Sequence, residues 1–209
     1  MVRFLIVRHG FSSLNKEKRF TGQLDIPLDE IGIEQADCIA KYVLEHFQVD
    51  SVYASDLSRA FHTVRPVANA LHIPVIKRTD LRELYLGSWQ GQLIENIKKE
   101  CGNHFSDYIT YPTKKVFHGG ERYVDLMNRA KKAMNEIAAE NEGKTVLVGT
   151  HGGFIRALRC AWQQLPPDDL KEVVPVSNAS LTEVRYQDGK AEFLKVGFDE
   201  YLSVKANLV

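Results

Sequence analysis

Apolar positions along the chain fall into short continuous runs and longer stretches with helical spacing. The short runs are typical of buried strands and lie at residues 4–7, 51–54, 75–76 and 145–149. Stretches with apolar residues every three or four positions predict helices at 30–47, 57–71, from Gly119-Gly120 to about 140, and 154–164. We predict that Asp29 caps the first of these helices and that Pro66 kinks or shortens the second.

The end of the chain has the pattern of a β-hairpin. Apolar positions at 181–186 and 191–196 flank Asp188-Gly189, a pair typical of a two-residue turn. Between 81 and 120 the periodicity weakens, and short helices are expected there. Strands that alternate with helices predict an α/β fold, a three-layer α/β/α sandwich with a mostly parallel central sheet. We predict one domain over residues 1–209, with a small helical cap segment around 88–118.

Composition and charge narrow the functional classes. The chain has 209 residues, with 27 Lys and Arg against 27 Asp and Glu, so its net charge is zero. This balance argues against nucleic acid or an anionic membrane as partner, and an anion must be bound by a few local cations. The three cysteines are scattered, and no apolar run reaches the ~20 residues of a membrane helix. We predict a soluble, cytoplasmic protein, and we make no prediction of its oligomeric state.

Histidine and arginine residues stand where predicted strands end. One strand runs into Arg8-His9-Gly10, another into Thr150-His151-Gly152-Gly153, and a third leads to Arg59 on the first turn of a helix. In parallel sheets, ligands bind outside the carboxyl ends of the strands. Arginine side chains and helix N-termini bind phosphate oxygens, so the pattern predicts a phosphate site.

Chemistry at phosphorus needs a nucleophile and an acid. A neutral imidazole is a nucleophile near pH 7, and Arg8 and Arg59 would disfavour the charged form of His9. A carboxylic acid that protonates the leaving oxygen completes the reaction. Glu83 is a candidate because it follows the third predicted strand. Periodicity alone does not choose it over three other carboxylates, Glu17, Glu95 and Glu121.

Several short motifs together resemble the histidine phosphatase superfamily, which has the phosphoglycerate mutase-like fold. In chain order they are Arg8-His9-Gly10 with Asn15, 27–32 with Gln35-Ala36, 55–60 with Thr63, Leu81-Arg82-Glu83 with Gly87, Trp89 and Gly91, Gly119-Gly120-Glu121, Thr150-His151-Gly152-Gly153, and Asn178-Ala179-Ser180. Each motif is a weak signal alone, and their shared order makes the resemblance specific. It spans nearly the whole chain.

The resemblance implies roles for particular residues. His9 is expected to carry the phosphoryl group, Arg8, Arg59 and His151 to form the catalytic phosphate pocket, and Glu83 to act as proton donor and then as base for water. The predicted substrate-binding set is Asn15, Gly10, Ser12, Thr21, Gly22 and Gly152. No metal and no cofactor is expected, since cationic side chains neutralise the phosphoryl charge.

The sequence departs from the family pattern at two positions. Phe11 stands where the family usually has Glu or Gln, and Arg122 where it often has Ser after Gly-Gly-Glu. Both departures leave substrate identity open.

Other candidates have plainer interpretations. His62 is expected at the surface or beside the site, and Trp89 in packing. A zinc site of His9, His62 and His151 lacks dense ligand spacing. Lys98-Lys99 and Lys114-Lys115 are expected on solvated faces, with a second anionic group of the substrate as the alternative.

The predicted function is hydrolysis of a small phosphorylated metabolite through a phosphohistidine intermediate. A cofactor-dependent phosphoglycerate mutase that uses the same histidine is the alternative, and a non-catalytic phospho-ligand binding module is a third hypothesis. The resemblance implies a larger insert after the acid segment and a C-terminal tail over the site in the family's mutases. Here the span from Gly91 to Gly119 is short and the chain stops soon after the hairpin, and the segment with Trp89 resembles the phosphatase branch, so the hydrolase is favoured. A sugar phosphate, phosphoglycerate, nucleotide or cobalamin precursor would all fit.

Overall fold

A computed structural model describes residues 1–102 and 119–205 of the chain. Its centre is a sheet whose strands lie in the order β3-β2-β4-β1-β5-β6. The strand bounds are Val2–Arg8 (β1), Ser51–Ser55 (β2), Val75–Arg78 (β3), Thr145–Thr150 (β4), Leu181–Gln187 (β5) and Lys190–Phe198 (β6). The pairs β1–β4, β2–β4 and β2–β3 are parallel, whereas β5 pairs antiparallel with β1 and β6. The prediction of a mostly parallel sheet with an antiparallel hairpin is confirmed.

Helices connect the strands. The α-helices are Ser13–Lys16 (α1), Glu30–His46 (α2), Ser58–Leu71 (α3), Ile94–Cys101 (α4), Tyr123–Glu140 (α5) and Gly152–Trp162 (α6). Single turns of 3-10 helix lie at Thr79–Leu81 and Gly87–Trp89, and a longer one at Pro167–Glu172. Within the described ranges, no helix is long and apolar enough to cross a membrane.

Alternate residues of the central strands pack on opposite faces of the sheet. Phe4 and Ile6 of β1 face one cluster, in which α5 and α6 supply the helical side chains. Leu5 and Val7 face a second cluster, to which α2 and α3 contribute. This period of two places a layer of helices on each face of the sheet, as the α/β/α prediction requires.

The register of β1 and β4 positions the residues that follow them. These strands are parallel neighbours, and Arg8 pairs with Thr150 at their last residues. His9 and His151 are therefore the next residues out of the same sheet edge. The backbone N–H of His9 donates to the carbonyl of Thr150 at 2.8 Å, so the two histidine-containing turns begin side by side.

Some element bounds differ from the sequence prediction. The prediction did not include α1, and α3 runs through Pro66 to Leu71 without being shortened. Pro66 removes one backbone donor, but the buried face of α3, which includes Val64 and Val67, holds the helix against the sheet. Helix α6 begins at Gly152, two residues before the predicted start at 154.

The turn of the hairpin follows the prediction, since Asp188 has φ 51° and Gly189 has φ 77°. Two consecutive residues with positive φ are the geometry for which Asp-Gly is selected. Of the predicted cap segment around 88–118, the structure describes part of a 3-10 turn and helix α4, and residues 103–118 of the prediction lie outside the described residues.

Candidate active site

A cavity of about 280 Å³ opens at the carboxyl edge of the sheet, where β1 and β4 end. It is lined by Arg8, His9, Asn15, Arg19, Phe20, Thr21, Gly22, Arg59, Glu83, Leu84, Leu86, Tyr123, Gly153 and Arg156. Four of these residues are arginines and one is a carboxylate, so the cavity is cationic although the chain as a whole is neutral.

The imidazole of His9 is held in one tautomer. Its Nδ1 lies 2.7 Å from the carbonyl oxygen of Gly10. Because a carbonyl only accepts, the proton is on Nδ1 and the Nε2 lone pair is left available. The main chain around His9 is fixed as well, since the side chain of Asn178 donates to the His9 carbonyl at 3.1 Å.

His9 is 3% exposed, and this burial is the largest cause that lowers its pKa well below the ordinary value. The guanidinium groups of Arg59 and then Arg8 lower the pKa further. The sequence argument named only the two arginines, and the structure adds burial as the larger effect. His9 is therefore neutral at pH 7, the form in which an imidazole is a nucleophile.

Arg59 is fully buried, and its guanidinium is oriented by backbone carbonyls. Nη1 donates to Leu24 and Nη2 to Gly22, both at 2.7 Å. Burial lowers the pKa of Arg59 to about 10, while Glu83 acts to raise it, so the group keeps its proton at neutral pH. Its Nε is buried without a hydrogen-bond partner in the described structure.

Arg8 is held in a similar way by a backbone carbonyl. Its Nη1 donates to the carbonyl of Val176 at 2.6 Å, and its Nε is also buried with no partner among the described residues. A Cβ added at Gly152 would lie 3.1 Å from this Nε, so the absence of a side chain there gives the guanidinium its space. Buried cationic donors without acceptors indicate a site for an anion.

His151 completes the buried polar group around His9. The two rings meet edge to face with centroids 5.2 Å apart. Both ring nitrogens of His151 are buried and have no partner in the described part of the chain. Burial, followed by Arg59, His9 and Arg8, lowers the pKa of His151 well below its usual value. The neutral ring retains one N–H donor for an oxygen in the cavity.

Two hydrogen bonds to its Oδ1 fix the orientation of the Asn15 side chain. Its Oδ1 accepts from the hydroxyl of Ser12 at 2.9 Å and from the amide of Asn178 at 3.4 Å. Because the oxygen is occupied, Asn15 has its Nδ2 donors left for a ligand in the cavity that it lines. Ser12 itself is fully buried and acts on the cavity through Asn15.

Glu83 is held at the N-terminus of α6. Its Oε1 accepts the backbone N–H groups of Leu84 at 2.9 Å and Phe154 at 3.1 Å, and its Oε2 accepts that of Gly153 at 3.0 Å. Helix N-termini stabilise negative charge and leave backbone donors unpaired. The carboxylate from the loop after β3 therefore caps α6, which explains why this helix begins before the predicted start.

The structure brings the predicted catalytic residues together. Arg8, His9, Arg59 and Glu83 line the cavity, and His151 lies directly beside His9. The predicted substrate-binding residues divide into two groups. Those in the lining are Asn15, Thr21 and Gly22. The other three are packed behind the lining: Gly10 contacts Thr63, Ser12 contacts Asn15, and Gly152 contacts Arg8.

Sequence reasoning missed several lining residues. They are Arg19, Phe20, Leu84, Leu86, Tyr123, Gly153 and Arg156. Arg156 had a usable signal, because it lies one helical turn after the Gly152-Gly153 pair that follows His151. Phe20, Leu84 and Leu86 come from segments without clear periodicity, whereas Tyr123 begins the helix predicted after Gly119-Gly120. Nothing in the sequence marks these four residues as cavity wall rather than core.

Residues with plainer predicted roles lie away from the reacting centre. His62 faces a separate surface cleft beside Arg65, and Trp89 stacks on Phe20 with centroids 5.5 Å apart. Arg82 pairs with Asp56 at 2.5 Å.

The departures and the lysine pairs do not line the cavity in the described residues. Arg122 pairs with Asp125, and Phe11 is absent from the lining. Of the lysines, Lys98 and Lys99 lie on α4, where Lys99 pairs with Glu95, and Lys114-Lys115 lie outside the described residues. Across residues 1–102 and 119–205, no three His, Cys, Asp or Glu side chains are grouped so that they could hold a metal ion.

The fold and the cavity define an α/β protein with a buried histidine pair and a cationic pocket at the strand ends. A model of the histidine phosphatase superfamily (branch 1) matches residues 4–199. The chain belongs to this superfamily, and the resemblance stated from the motifs is confirmed.

Curated relatives and solved structures are similar to this chain over most of its length. Phosphoserine phosphatase 1 of Hydrogenobacter thermophilus is 34% identical over 161 residues, 77% of this chain and 76% of that protein. Phosphoglycerate mutase-like protein 4 of Arabidopsis thaliana is 31% identical over 197 residues, 93% of this chain and 84% of that protein. The solved structure of mycobacterial glucosyl-3-phosphoglycerate phosphatase with VO3 has a TM-score of 0.88 and 29% identity, covering 94% of this chain and 99% of that chain.

Proposed function

We propose that the protein hydrolyses small phosphate monoesters and that the phosphoryl group passes through Nε2 of His9. The observation that carries this proposal is the tautomer of His9, whose Nδ1 donates to Gly10 and leaves Nε2 as a neutral nucleophile. Buried Nε donors of Arg8 and Arg59 beside it have no acceptor in the described structure. The phosphatase activity of relatives such as phosphoserine phosphatase 1 supports the reaction class.

In the first step, the lone pair of His9 Nε2 forms a bond to phosphorus as the bond to the ester oxygen breaks. Arg8, Arg59 and a His151 N–H donate to the phosphoryl oxygens, where charge must be neutralised. Glu83 gives its proton to the leaving oxygen. The products of this step are an alcohol, phospho-His9 and the Glu83 carboxylate.

In the second step, water attacks phospho-His9. The Glu83 carboxylate takes a proton from the water as the oxygen bonds to phosphorus and the bond to Nε2 breaks. Inorganic phosphate leaves, and His9 and protonated Glu83 are restored. Glu83 lines the cavity, which supports its part in both steps, and the backbone N–H of Gly153 at the N-terminus of α6 stabilises the carboxylate that acts as base.

The decisive variant is His9→Ala, with His62→Ala as its matched control. His62 lies on a different cleft and is not part of the cavity lining. Turnover of p-nitrophenyl phosphate should fall at least about 1,000-fold in His9→Ala and stay at the wild-type level in His62→Ala. Full activity in His9→Ala would refute the proposal.

Rapid quench with labelled substrate tests the intermediate directly. Wild type should trap the label as an acid-labile, base-stable adduct, which is the behaviour of a phosphoramidate, and His9→Ala should trap none. An adduct on serine would assign the nucleophile elsewhere. Failure of wild-type protein to turn over any monoester would instead favour the binding-module hypothesis.

The mutase alternative is supported by the similarity to phosphoglycerate mutase-like protein 4. A coupled mutase assay beside a phosphate-release assay, on one preparation, separates the two reactions. We expect phosphate release from a small monoester and slow exchange of 2- and 3-phosphoglycerate, even with 2,3-bisphosphoglycerate added. Fast, bisphosphoglycerate-dependent exchange with little phosphate release would reverse the assignment.

We expect a small phosphorylated metabolite as partner, without nucleic acid or membrane. A cavity of about 280 Å³ and a zero net charge support this expectation. The cysteines Cys38, Cys101 and Cys160 are free thiols, which supports a cytoplasmic location. Fractionation of cells that express the protein would test the location.

A further inference from the structure

One arginine of the cavity has no part in the proposed phosphoryl transfer. Arg156 lies on α6, one turn after Gly153, and lines the same cavity as His9. Its guanidinium is held by two backbone carbonyls, with Nε donating to Val173 and Nη2 to Leu170, both at 2.8 Å. The contacts of the described residues leave Nη1 without an acceptor and give Arg156 no carboxylate partner. Arg156 is thus a cation of fixed orientation whose Nη1 can donate a hydrogen bond to a ligand.

The geometry of α6 places this cation beside the phosphoryl site. Side chains on a helix tilt towards its N-terminus and cover the preceding turn. Gly153, in the first turn of α6, lines the cavity. The side chain of Arg156 extends back towards this turn and lines the same cavity. Its Cα is about 5 Å further along the helix axis than that of Gly153.

The partners of the arginines in the cavity point to a substrate with a second anionic group. A phosphate monoester brings about two negative charges near neutral pH. Burial lowers the pKa of Arg8 and of Arg59, and the carboxylate of Glu83 acts on both groups to raise it. Arg19 is paired with Glu17 at 2.7 Å. Arg156 is the arginine of the lining for which the described residues supply no carboxylate.

We propose that Arg156 binds a carboxylate of the substrate, which makes the preferred substrate a small phosphorylated carboxylic acid. The inference rests on the proposed phosphatase function and adds the substrate class. One helical turn between the phosphoryl site and Arg156 suits a short acid in which a few bonds separate the ester oxygen from the carboxylate. Relatives named for phosphoserine and glucosyl-3-phosphoglycerate act on compounds of this class, which supports the proposal.

Wild-type protein provides the first test, with two pairs of substrates in which hydrogen or a hydroxymethyl group replaces the carboxylate. Phosphoserine is compared with phosphoethanolamine, and 3-phosphoglycerate with glycerol 3-phosphate. The carboxylated member of each pair should have a kcat/KM about 10- to 100-fold higher, the range for a charge-assisted hydrogen bond. Equal values within each pair would overturn the proposal.

The second test uses Arg156→Gln with Arg159→Gln as its matched control. Arg159 lies one turn further along α6 and is likewise held by a carbonyl, that of Val174, but it does not line the cavity. Arg156→Gln should lose about 10- to 100-fold in kcat/KM on the carboxylated substrates. On phosphoethanolamine, glycerol 3-phosphate and p-nitrophenyl phosphate, which lack the carboxylate, the loss should be at least about 10-fold smaller than on the carboxylated substrates. Arg159→Gln should keep the wild-type preference.

Equal losses on both members of a pair would show that Arg156 supports the cavity structurally and would refute the assignment. Arg156→Lys is informative as well, since it keeps the charge but not the planar fork, and we expect an intermediate preference. The two proposals fail in different ways. Absence of phosphate release from every ester refutes the phosphatase function, whereas hydrolysis of p-nitrophenyl phosphate without a preference for carboxylates refutes the Arg156 subsite alone.

Discussion

The carboxylate of Glu83 and the backbone N–H of Gly153 form a 3.0 Å hydrogen bond between the loop after β3 and the first turn of α6. A Cβ added at Gly153 would contact Oε1 of the same carboxylate. The position of the proposed proton donor therefore depends on the absence of a side chain one turn before Arg156.

Gly153→Ala tests this dependence. The added methyl group should displace the Glu83 carboxylate and reduce turnover of alkyl phosphates about 10- to 100-fold, because small misplacements of reacting groups are costly. The free energy of unfolding should fall by no more than about 2 kcal/mol, because α6 loses the Glu83 cap. A variant with unchanged turnover of an alkyl phosphate would show that Glu83 need not occupy this position.

Glu83→Gln separates proton donation from binding. A general acid matters most when the leaving group is poor. The variant should lose about 100-fold or more on alkyl phosphates and much less on p-nitrophenyl phosphate, whose phenolate leaves without a proton. Glu136→Gln is the control, because Glu136 pairs with Arg78 and is not in the cavity lining. Equal losses on both substrates would assign Glu83 to binding.

Arg129 is expected to be the strongest stabilising contact of the segment that carries Glu83. It donates to the carbonyls of Asp80, Arg82 and Glu83 and pairs with Glu121 at 2.8 Å. Arg129→Met leaves Glu121, whose side chain is 17% exposed, without its charged partner, and should lower the free energy of unfolding by about 2–3 kcal/mol.

Arg122→Met is the matched control for this measurement. Its pair with Asp125 is 46% and 43% exposed, so its loss should cost no more than about 1 kcal/mol in urea unfolding. Similar costs for the two variants would show that the carbonyl contacts of Arg129 contribute little.

Metal independence follows from the charge supplied by arginine. Arg8 and Arg59 place two guanidinium groups in the cavity, so EDTA should leave the rate unchanged. Vanadate should inhibit, because its five-coordinate form resembles the transferring phosphoryl group. A large loss of activity with EDTA that zinc or manganese restores would show that an ion contributes to the reaction.

The buried histidines should make stability depend on pH below neutrality. The pKa values of His9 and His151 lie well below the ordinary value of 6.5. As the pH falls from about 6.5 to about 5, the unfolded histidines bind protons and the folded ones do not. The free energy of unfolding should therefore fall, by up to about 1.4 kcal/mol per pH unit for each histidine.

Urea unfolding at several pH values in phosphate-free buffer measures this slope. His151→Gln should reduce the slope by up to about 1.4 kcal/mol per pH unit, and His62, whose pKa is also lowered by partial burial, contributes to the slope that remains. Acidic side chains with lowered pKa values, such as Asp56, titrate below this window. A slope near zero in wild type would show that both histidines become protonated in the folded state.

Most of the fold could be predicted from the sequence, because the buried strands are short apolar runs and the helices bury one face. Strand β1 and helix α2 follow simple periodicity, and their bounds were predicted within a few residues. The start of α6 was not predictable locally, since its first turn is capped by Glu83 from a distant segment. Helix α1 spans only Ser13–Lys16 and buries no residue, so it leaves no periodic signal.

In the site, too, some residues could be identified from the local sequence and others only from the tertiary structure. Histidines at strand ends could be found from the sequence, because parallel strands end at one edge. The choice of Glu83 among four carboxylates could not be made from periodicity. In the structure the other three carboxylates form ion pairs: Glu17 pairs with Arg19, Glu95 with Lys99, and Glu121 with Arg129.

Residues 170–176 couple evolutionary changes in substrate preference to catalysis. Carbonyls of this one segment hold Arg156 through Leu170 and Val173 and also hold Arg8 through Val176. An insertion or deletion here that alters substrate preference also shifts a group beside the nucleophile. Mutational routes to a new substrate that pass through this segment are therefore epistatic with catalysis, whereas a change at Tyr123 on α5 leaves the segment itself intact. Laboratory selections for new substrates should accumulate changes on α5 before residues 170–176.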